Sequence, residues 1–294
     1  MPRLFRQTRG NTAAAQPWGQ AKLLLALVAV AVAALGLVVG LGLAMKYALQ
    51  SASETSDAPG PAAAATAQEV AEPAEQLGSI EQSGGEKARA AIAAEPMLEA
   101  GSEGYRPQKP GTRPADTITI PPATNSGAAD VPSGFPQTPQ GAVGQLAAID
   151  TTVLQAMDIR VATSVYQAWA RPGGVGAPKW ELTNNVATFL GATNNEARKD
   201  TTTVVVALPV AGQVKGADGP GWVVACVLLQ VRATEEAEAE IGYGHCEQMV
   251  WDDESERWMI APGQPPFQAP STWPGTELAR QAGWLDWVQG KTGQ

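Results

Sequence analysis

Apolar side chains follow three different rhythms along this chain, and each predicts a different kind of structure. The first is an unbroken block. Residues 23–45, LLLALVAVAVAALGLVVGLGLAM, are 23 consecutive uncharged positions closed by Lys22 and Lys46. At 1.5 Å per residue a helix of that length covers about 35 Å, enough for a hydrocarbon core of roughly 30 Å. A cleavable signal has a shorter apolar run, about 7–15 residues, followed by a small-x-small site. This run is longer and ends in KYALQSAS, so an uncleaved single transmembrane helix is expected. Arg3, Arg6, Arg9 and Lys22 precede it with no acid among them, which assigns residues 1–22 to the cytoplasm as a basic tail and everything beyond Lys46 to the outside. Gly36, Gly40 and Ala44, spaced four apart, offer a small-residue face for packing two such helices together, and hence for self-association.

The second regime, residues 46–130, has no sustained apolar period. It is rich in Ala, Pro, Gly, Glu and Ser and carries no Trp or Cys. A segment of this kind buries too little surface to offset the entropy of ordering, so a flexible, disordered linker is expected, with short Ala/Glu pieces such as 84–95 flickering into helix.

The third regime, 131–294, alternates between helical and strand periods. Thr138-Pro139 supplies a capping hydroxyl and a proline at the first helical position, and Val143, Leu146, Ile149, Val153 and Leu154 follow at helical spacing, predicting a helix within 134–157. Further helices are predicted at 158–170, stopped by RPGG, and at 179–190. The pattern then changes to β-branched and aromatic runs at 202–210, 222–233, 239–251 and 257–261, separated by turn-rich breaks. A last helix is predicted at 276–288, with Trp284, Trp287 and Val288 on one face. The expected fold class is α+β: three helices, a four-stranded antiparallel sheet and a C-terminal helix.

Charge changes the picture only by exclusion. The net charge of −9 is concentrated beyond residue 50, and a domain of that sign repels phosphate backbones, so direct nucleic-acid binding by the outer domain is not expected. No G-x-S-x-G, Walker or H-E-x-x-H motif occurs, and the acidic turn Asp252, Asp253, Glu254, Glu256 lacks the spacing of an EF-hand loop.

The chemistry that remains sits in IGYGHCEQMVW. His245, the only histidine, stands beside Cys246, one of two cysteines. If the short loop around Glu236 joins two antiparallel strands, positions equidistant from it lie opposite each other, and Cys226 and Cys246 are such a pair. Outside the cytoplasm they are expected to form a disulfide. That removes Cys246 as a nucleophile and leaves too few ligands for zinc, so no metal and no cofactor are expected. Strand alternation turns His245 to the opposite face together with Tyr243 and Glu247, against Val223, Ala225, Val227 and Leu229. A Tyr-His-Glu row against an apolar wall is either a tuned acid–base site in a pocket or a hydrogen-bonded structural set.

A basic cytoplasmic tail, one span, a linker and a three-helix, four-strand domain together resemble the NTF2-like extracytoplasmic domain of type IV secretion assembly factors and its TcpC-like counterpart in Gram-positive conjugation machines. The stretches GFPQTPQGAVGQLAAID and WMIAPGQPPFQAPSTWPGTELARQAGW are similar to those of membrane-anchored actinobacterial proteins found with mobile-element transfer genes. The Asn-Pro-x-Gly loop of the assembly factors is absent, with Arg171-Pro172-Gly173-Gly174 the nearest turn, so no contact residue is carried over. The resemblance implies an NTF2-like domain and a non-enzymatic, single-pass membrane scaffold of a conjugative DNA-transfer machine, whose outer domain contacts itself and other machine subunits. The alternative is a membrane-tethered enzyme or small-ligand-binding domain with a pocket around Tyr243, His245, Glu247 and Asp150. An open pocket of several hundred Å³ favours the alternative, and a closed interior favours the scaffold.

Overall fold

The computed structural model describes residues 85–234 and 238–291. The apolar run at 23–45, with Gly36, Gly40 and Ala44, and the linker up to residue 84 lie outside the described residues. Among the described residues, no helix is long and apolar enough to cross a membrane.

Helix α1 covers residues 85–94. Three further helices form one layer: α2 (Pro139–Ala156), α3 (Ile159–Trp169) and α4 (Glu181–Ala192). Their starts follow from local chemistry. The Thr138 hydroxyl accepts the Gly141 N–H at 3.0 Å with Pro139 at the first helical position, and Asp158 accepts the Arg160 N–H at 2.7 Å to open α3. A fifth helix, α5 (Glu277–Gln281), is capped by Thr276.

The helix layer lies on a six-stranded mixed sheet. Its spatial order is β1 (Thr117–Ile120), β8 (Leu285–Gln289), β4 (Val204–Ala217), β5 (Trp222–Thr234), β6 (Glu238–Asp252) and β7 (Arg257–Ile260). Neighbours are antiparallel except β1 and β8, which run parallel with Ile118 beside Trp287. Two short strands, β2 (Asn125–Ser126) and β3 (Pro132–Ser133), form a separate hairpin.

Both faces of the sheet are covered around β5. On the inner face, Leu146, Ile149 and Val153 of α2, Val165 and Trp169 of α3, and Leu182, Val186 and Leu190 of α4 pack against Val223, Ala225, Val227 and Leu229 of β5 and Met249 of β6. On the outer face, Trp222, Val224, Cys226, Leu228 and Cys246 are covered from two directions. Ile92, Ala93, Met97 and Leu98 arrive from the N-terminal side, and Ala261, Ala269, Ala279, Ala282 and Trp284 from the C-terminal side. This burial explains β5, which reads as a near-continuous apolar run because both faces are dry.

Three expectations are corrected. The sheet is not a four-stranded antiparallel meander and the domain is not NTF2-like, because β1 and β8 add a parallel pair at one edge. The C-terminal helix expected over 276–288 is only the short α5. Gly283, at φ 84°, ends it, and the chain continues as β8. Leu285, Asp286, Trp287 and Val288 fit a period of 2 as well as a helical one: Leu285 and Trp287 pack toward the inner core, while Val288 is exposed. Finally, residues 85–130, read as part of a flexible linker, are folded onto the domain. Ile118 and Ile120 are buried in the sheet, and the backbone at 93–105 straps the outer face through Phe267 N–H to Ala93 C=O (2.8 Å) and Gly242 N–H to Tyr105 C=O (2.8 Å).

Candidate functional site

The sequence singled out Cys226, Cys246, Tyr243, His245 and Glu247, and the pairing of β5 with β6 determines where each goes. Cys226 stands directly opposite Cys246, and the two are joined by a disulfide with a Cα–Cα separation of 4.1 Å. The bridge lies on the outer face, beneath Met97, whose Sδ is 3.8 Å from the Cys246 sulfur. The disulfide expected from the hairpin geometry is present.

The glycines of the Gly-Tyr-Gly-His run explain why polar groups point one way. Gly242 and Gly244 lie on the outer face, where residues 270–273 cross β6 in close contact. A methyl group on Gly242 would overlap the Thr272 carbonyl, and one on Gly244 would sit 2.6 Å from the Pro270 carbonyl oxygen. Only glycine leaves room for that backbone. The residues between and beyond them, Tyr243, His245 and Glu247, point to the inner face opposite Leu229, Val227 and Ala225.

On the inner face they meet groups from two helices. Asp150 projects from the buried stripe of α2, and its two carboxylate oxygens lie 3.0 and 3.1 Å from His245 Nδ1. On the other side of the ring, His245 Nε2 is 3.5 Å from Glu247 Oε1, too long for a hydrogen bond, and Nε2 has no hydrogen-bond partner. Glu247 instead accepts the Trp180 indole N–H at 2.7 Å, at the entry to α4. Tyr243 donates to Glu181 at 3.0 Å and accepts from the Asn185 amide at 2.8 Å, both on α4. Sequence reading named the strand residues and Asp150. It missed Trp180, Glu181 and Asn185, whose helical register places them toward β6 but which carry no motif of their own.

Burial and charge set the protonation states. The His245 side chain is 1% exposed and that of Asp150 is 0% exposed. Burial alone disfavours the imidazolium, but the Asp150 carboxylate, with Glu247 and Glu181 behind it, outweighs burial and raises the His245 pKa well above its ordinary value. Burial pushes the Asp150 pKa up, with the His245 charge and hydrogen bond pulling it back. Tyr243 is raised well above an ordinary phenol, first by burial and then by the neighbouring Glu181 and Asp150 carboxylates. The cluster is therefore a buried His245–Asp150 pair flanked by further acids and closed by a phenol held in its protonated form.

Among the described residues the His245–Asp150 pair is closed off from solvent. The crevice beside them, lined by Tyr166, Trp180 and Glu247 among others, holds about 10 Å³, the room of a single water at most. Among the described residues no group of three or more His, Cys, Asp or Glu side chains is arranged to hold a metal ion. With its polar atoms turned toward each other, this arrangement can bind α2 and α4 to the sheet. Acid–base catalysis needs a reacting atom within hydrogen-bond reach of the base, and the crevice beside Glu247 has room for a water. Comparison with known proteins adds no relative: no family model matches the chain, and neither a curated protein nor a solved structure matches it.

Proposed function

We propose that this chain is a non-enzymatic, single-pass membrane scaffold subunit that works through protein contacts of its outer domain, within a conjugative DNA-transfer machine. The observation that carries the scaffold reading is the sealing of the His245 cluster. Tyr243, His245, Glu247 and Asp150 converge, yet His245, Glu247 and Asp150 are buried beneath α2 and α4, with Tyr243 half-buried and water-sized space beside Glu247. The disulfide Cys226–Cys246 supports an oxidising compartment for the domain, consistent with the outward orientation read from the basic tail. The transfer-machine assignment rests on the sequence stretches 134–150 and 258–284 and not on the fold, which differs from the NTF2-like domain that the resemblance implied. The tethered-enzyme alternative would need the helix layer to lift from β6 to admit a substrate.

In-cell crosslinking of the full tagged chain, followed by mass spectrometry of what co-purifies, tests the proposal. Recovery of transfer ATPases and channel subunits is the expected result. Recovery of wall enzymes alone refutes the transfer-machine assignment.

A further inference from the structure

We infer that the pocket between β8 and the end of β4 it leaves uncovered, with α2 as its floor, is a binding site for a small apolar molecule carrying a single hydroxyl, of the class of the simple phenols. The site is separate from the His245 cluster, and the inference goes beyond the scaffold reading without depending on it.

The pocket exists because two strands part. β8 pairs with β4 at Ala211 and Gly212, then follows β1, with Trp287 beside Ile118 and Gln289 beside Ile120. Had the ladder with β4 continued, it would have reached Pro209, which has no N–H to carry it on. The space left between the strands opens onto α2 and holds about 280 Å³. An apolar cavity of about 150 Å³ already accepts a benzene ring, so this one has room for a substituted ring. Phe135 and Trp287 supply aromatic walls, and α2 presents only short side chains to it, among them Ala147, Ala148, Thr151 and Thr152.

The hydrogen bonds it can offer select the ligand. Pro121, Pro132 and Pro209 line the space and have no N–H, and the Pro132 carbonyl already accepts the Gln145 amide at 3.0 Å. Thr152 donates to the Ala148 carbonyl at 2.8 Å. Gln289 donates to the Ile120 carbonyl at 3.3 Å and accepts from the Trp287 indole N–H at 3.4 Å. Among the polar side chains of the lining that leaves the Thr151 hydroxyl, which is buried and has no hydrogen-bond partner. Leaving such a group unpaired is costly, and a threonine in a helix has two accessible rotamers, so this hydroxyl can turn to meet a ligand.

Other occupants fail on the same inventory. A peptide brings an N–H and a C=O with each residue, and a sugar brings several hydroxyls; against prolines and aromatic rings most of these would be stranded. An anion meets no basic side chain in the lining. A purely apolar molecule fills the volume but leaves Thr151 unpaired. A phenol satisfies both demands: its ring packs against Phe135 and Trp287, and its hydroxyl can donate to or accept from that of Thr151.

The test uses the full chain, labelled with 5-fluorotryptophan and held in lipid nanodiscs, and reads the fluorine resonance of Trp287, assigned by its loss in Trp287→Phe. The probe is p-cresol, with its free concentration set by dialysis. The comparison is p-xylene, which has a methyl group in place of the hydroxyl. p-Cresol is expected to shift the Trp287 resonance and to approach saturation by about 10 mM, as suits a ligand this small. Thr151→Val keeps the shape of the side chain and removes its hydroxyl. It is expected to weaken p-cresol about three- to tenfold while p-xylene stays within about twofold. Ala148→Phe, which fills the space, is expected to abolish the response to both probes. The inference is overturned if p-cresol leaves the Trp287 resonance unmoved, if the response survives Ala148→Phe, or if Thr151→Val weakens both probes alike.

Discussion

Replacing Asp150 by alanine should unfold much of what holds α2 and α4 to the sheet, and the size of the effect can be worked from the geometry. In the native protein the Asp150 carboxylate lies 3.0 and 3.1 Å from His245 Nδ1, and neither side chain reaches solvent. Deleting one partner of a buried pair leaves the other charge uncompensated, at a cost of about 3–5 kcal/mol. The remaining neighbour, Glu247, is 3.5 Å from the other ring nitrogen and already engaged by Trp180. His245 must then either lose its proton or keep it at a much higher cost. The double replacement Asp150→Leu with His245→Leu removes both charges, and apolar replacement of a buried pair is commonly neutral or stabilising. The double variant is therefore expected to be more stable than Asp150→Ala alone, although it changes two residues.

The pH dependence gives an independent reading of the same pair. His245 has a folded pKa well above the 6.5 of an ordinary histidine. Between those two values the folded chain holds a proton that the unfolded chain does not, so stability falls as pH rises, by at most about 1.4 kcal/mol per pH unit. The contribution is fully present below pH 6.5 and is lost as pH climbs through the folded value. Asp150 is also raised, first by burial, and Tyr243 titrates only beyond the ordinary phenol range, so the part of the loss that disappears in Asp150→Ala belongs to the His245–Asp150 pair. Urea unfolding of the full chain at pH 6.5 and pH 9, followed by tryptophan fluorescence, measures both quantities. Wild type is expected to lose stability across that window. Asp150→Ala is expected to start about 3–5 kcal/mol lower and to change little more. A loss below about 1 kcal/mol in Asp150→Ala, or an unchanged pH slope in that variant, would refute the ion-pair reasoning.

Three further outcomes follow from contacts elsewhere in the domain. Replacing Cys226 and Cys246 together by serine opens a bridge with sequence separation 20 and is expected to cost about 3 kcal/mol, read as a lower urea midpoint; an unchanged midpoint would show that the bridge does not constrain the unfolded chain. Gly242→Ala forces the Thr272 backbone away from β6 and is expected to cost about 1–3 kcal/mol, with faster hydrogen exchange at the Gly242 amide, which bonds the Tyr105 carbonyl; Gly191→Ala, on α4 with open space around it, is expected instead to stabilise by about 0.5–1 kcal/mol. Trp180→Phe removes the indole N–H that Glu247 accepts at 2.7 Å and is expected to cost about 1–3 kcal/mol, a figure that Glu247→Leu in the same background should reduce.

Much of the domain was legible because its signals are local. Thr138-Pro139 marks the start of α2, Arg171-Pro172-Gly173-Gly174 follows the end of α3, and the loop around Glu236 sets β5 against β6 closely enough to name the disulfide. What escaped is non-local. Thr117–Ile120 is a four-residue alternation that becomes a strand only because β8 arrives from 169 positions further along to pair with it. The β-branched run 202–210 predicts a shorter strand, yet β4 runs on to Ala217 because β5 continues beside it and two bulges absorb the mismatch. Asp150 is indistinguishable by period from the apolar residues of its stripe. Only the tertiary meeting with His245 explains why an acid occupies a buried position there.

That meeting also explains the spelling of Gly-Tyr-Gly-His-Cys-Glu. Successive residues of a strand face opposite sides, so a slip of one position would turn every side chain over. Here the slip is penalised on both faces at once. It would bring Tyr243, His245 and Glu247 to the outer face, where the Thr272 and Pro270 carbonyls leave room only for hydrogen, and it would set Gly242 and Gly244 toward α2 and α4, leaving Asp150 buried without a cation. The disulfide, on the same outer face as the glycines, permits pairing only where Cys226 and Cys246 are opposed. Three independent constraints thus agree on one register for β6. In this protein the lone histidine serves as the key that sets β6 against β5 and the helix layer.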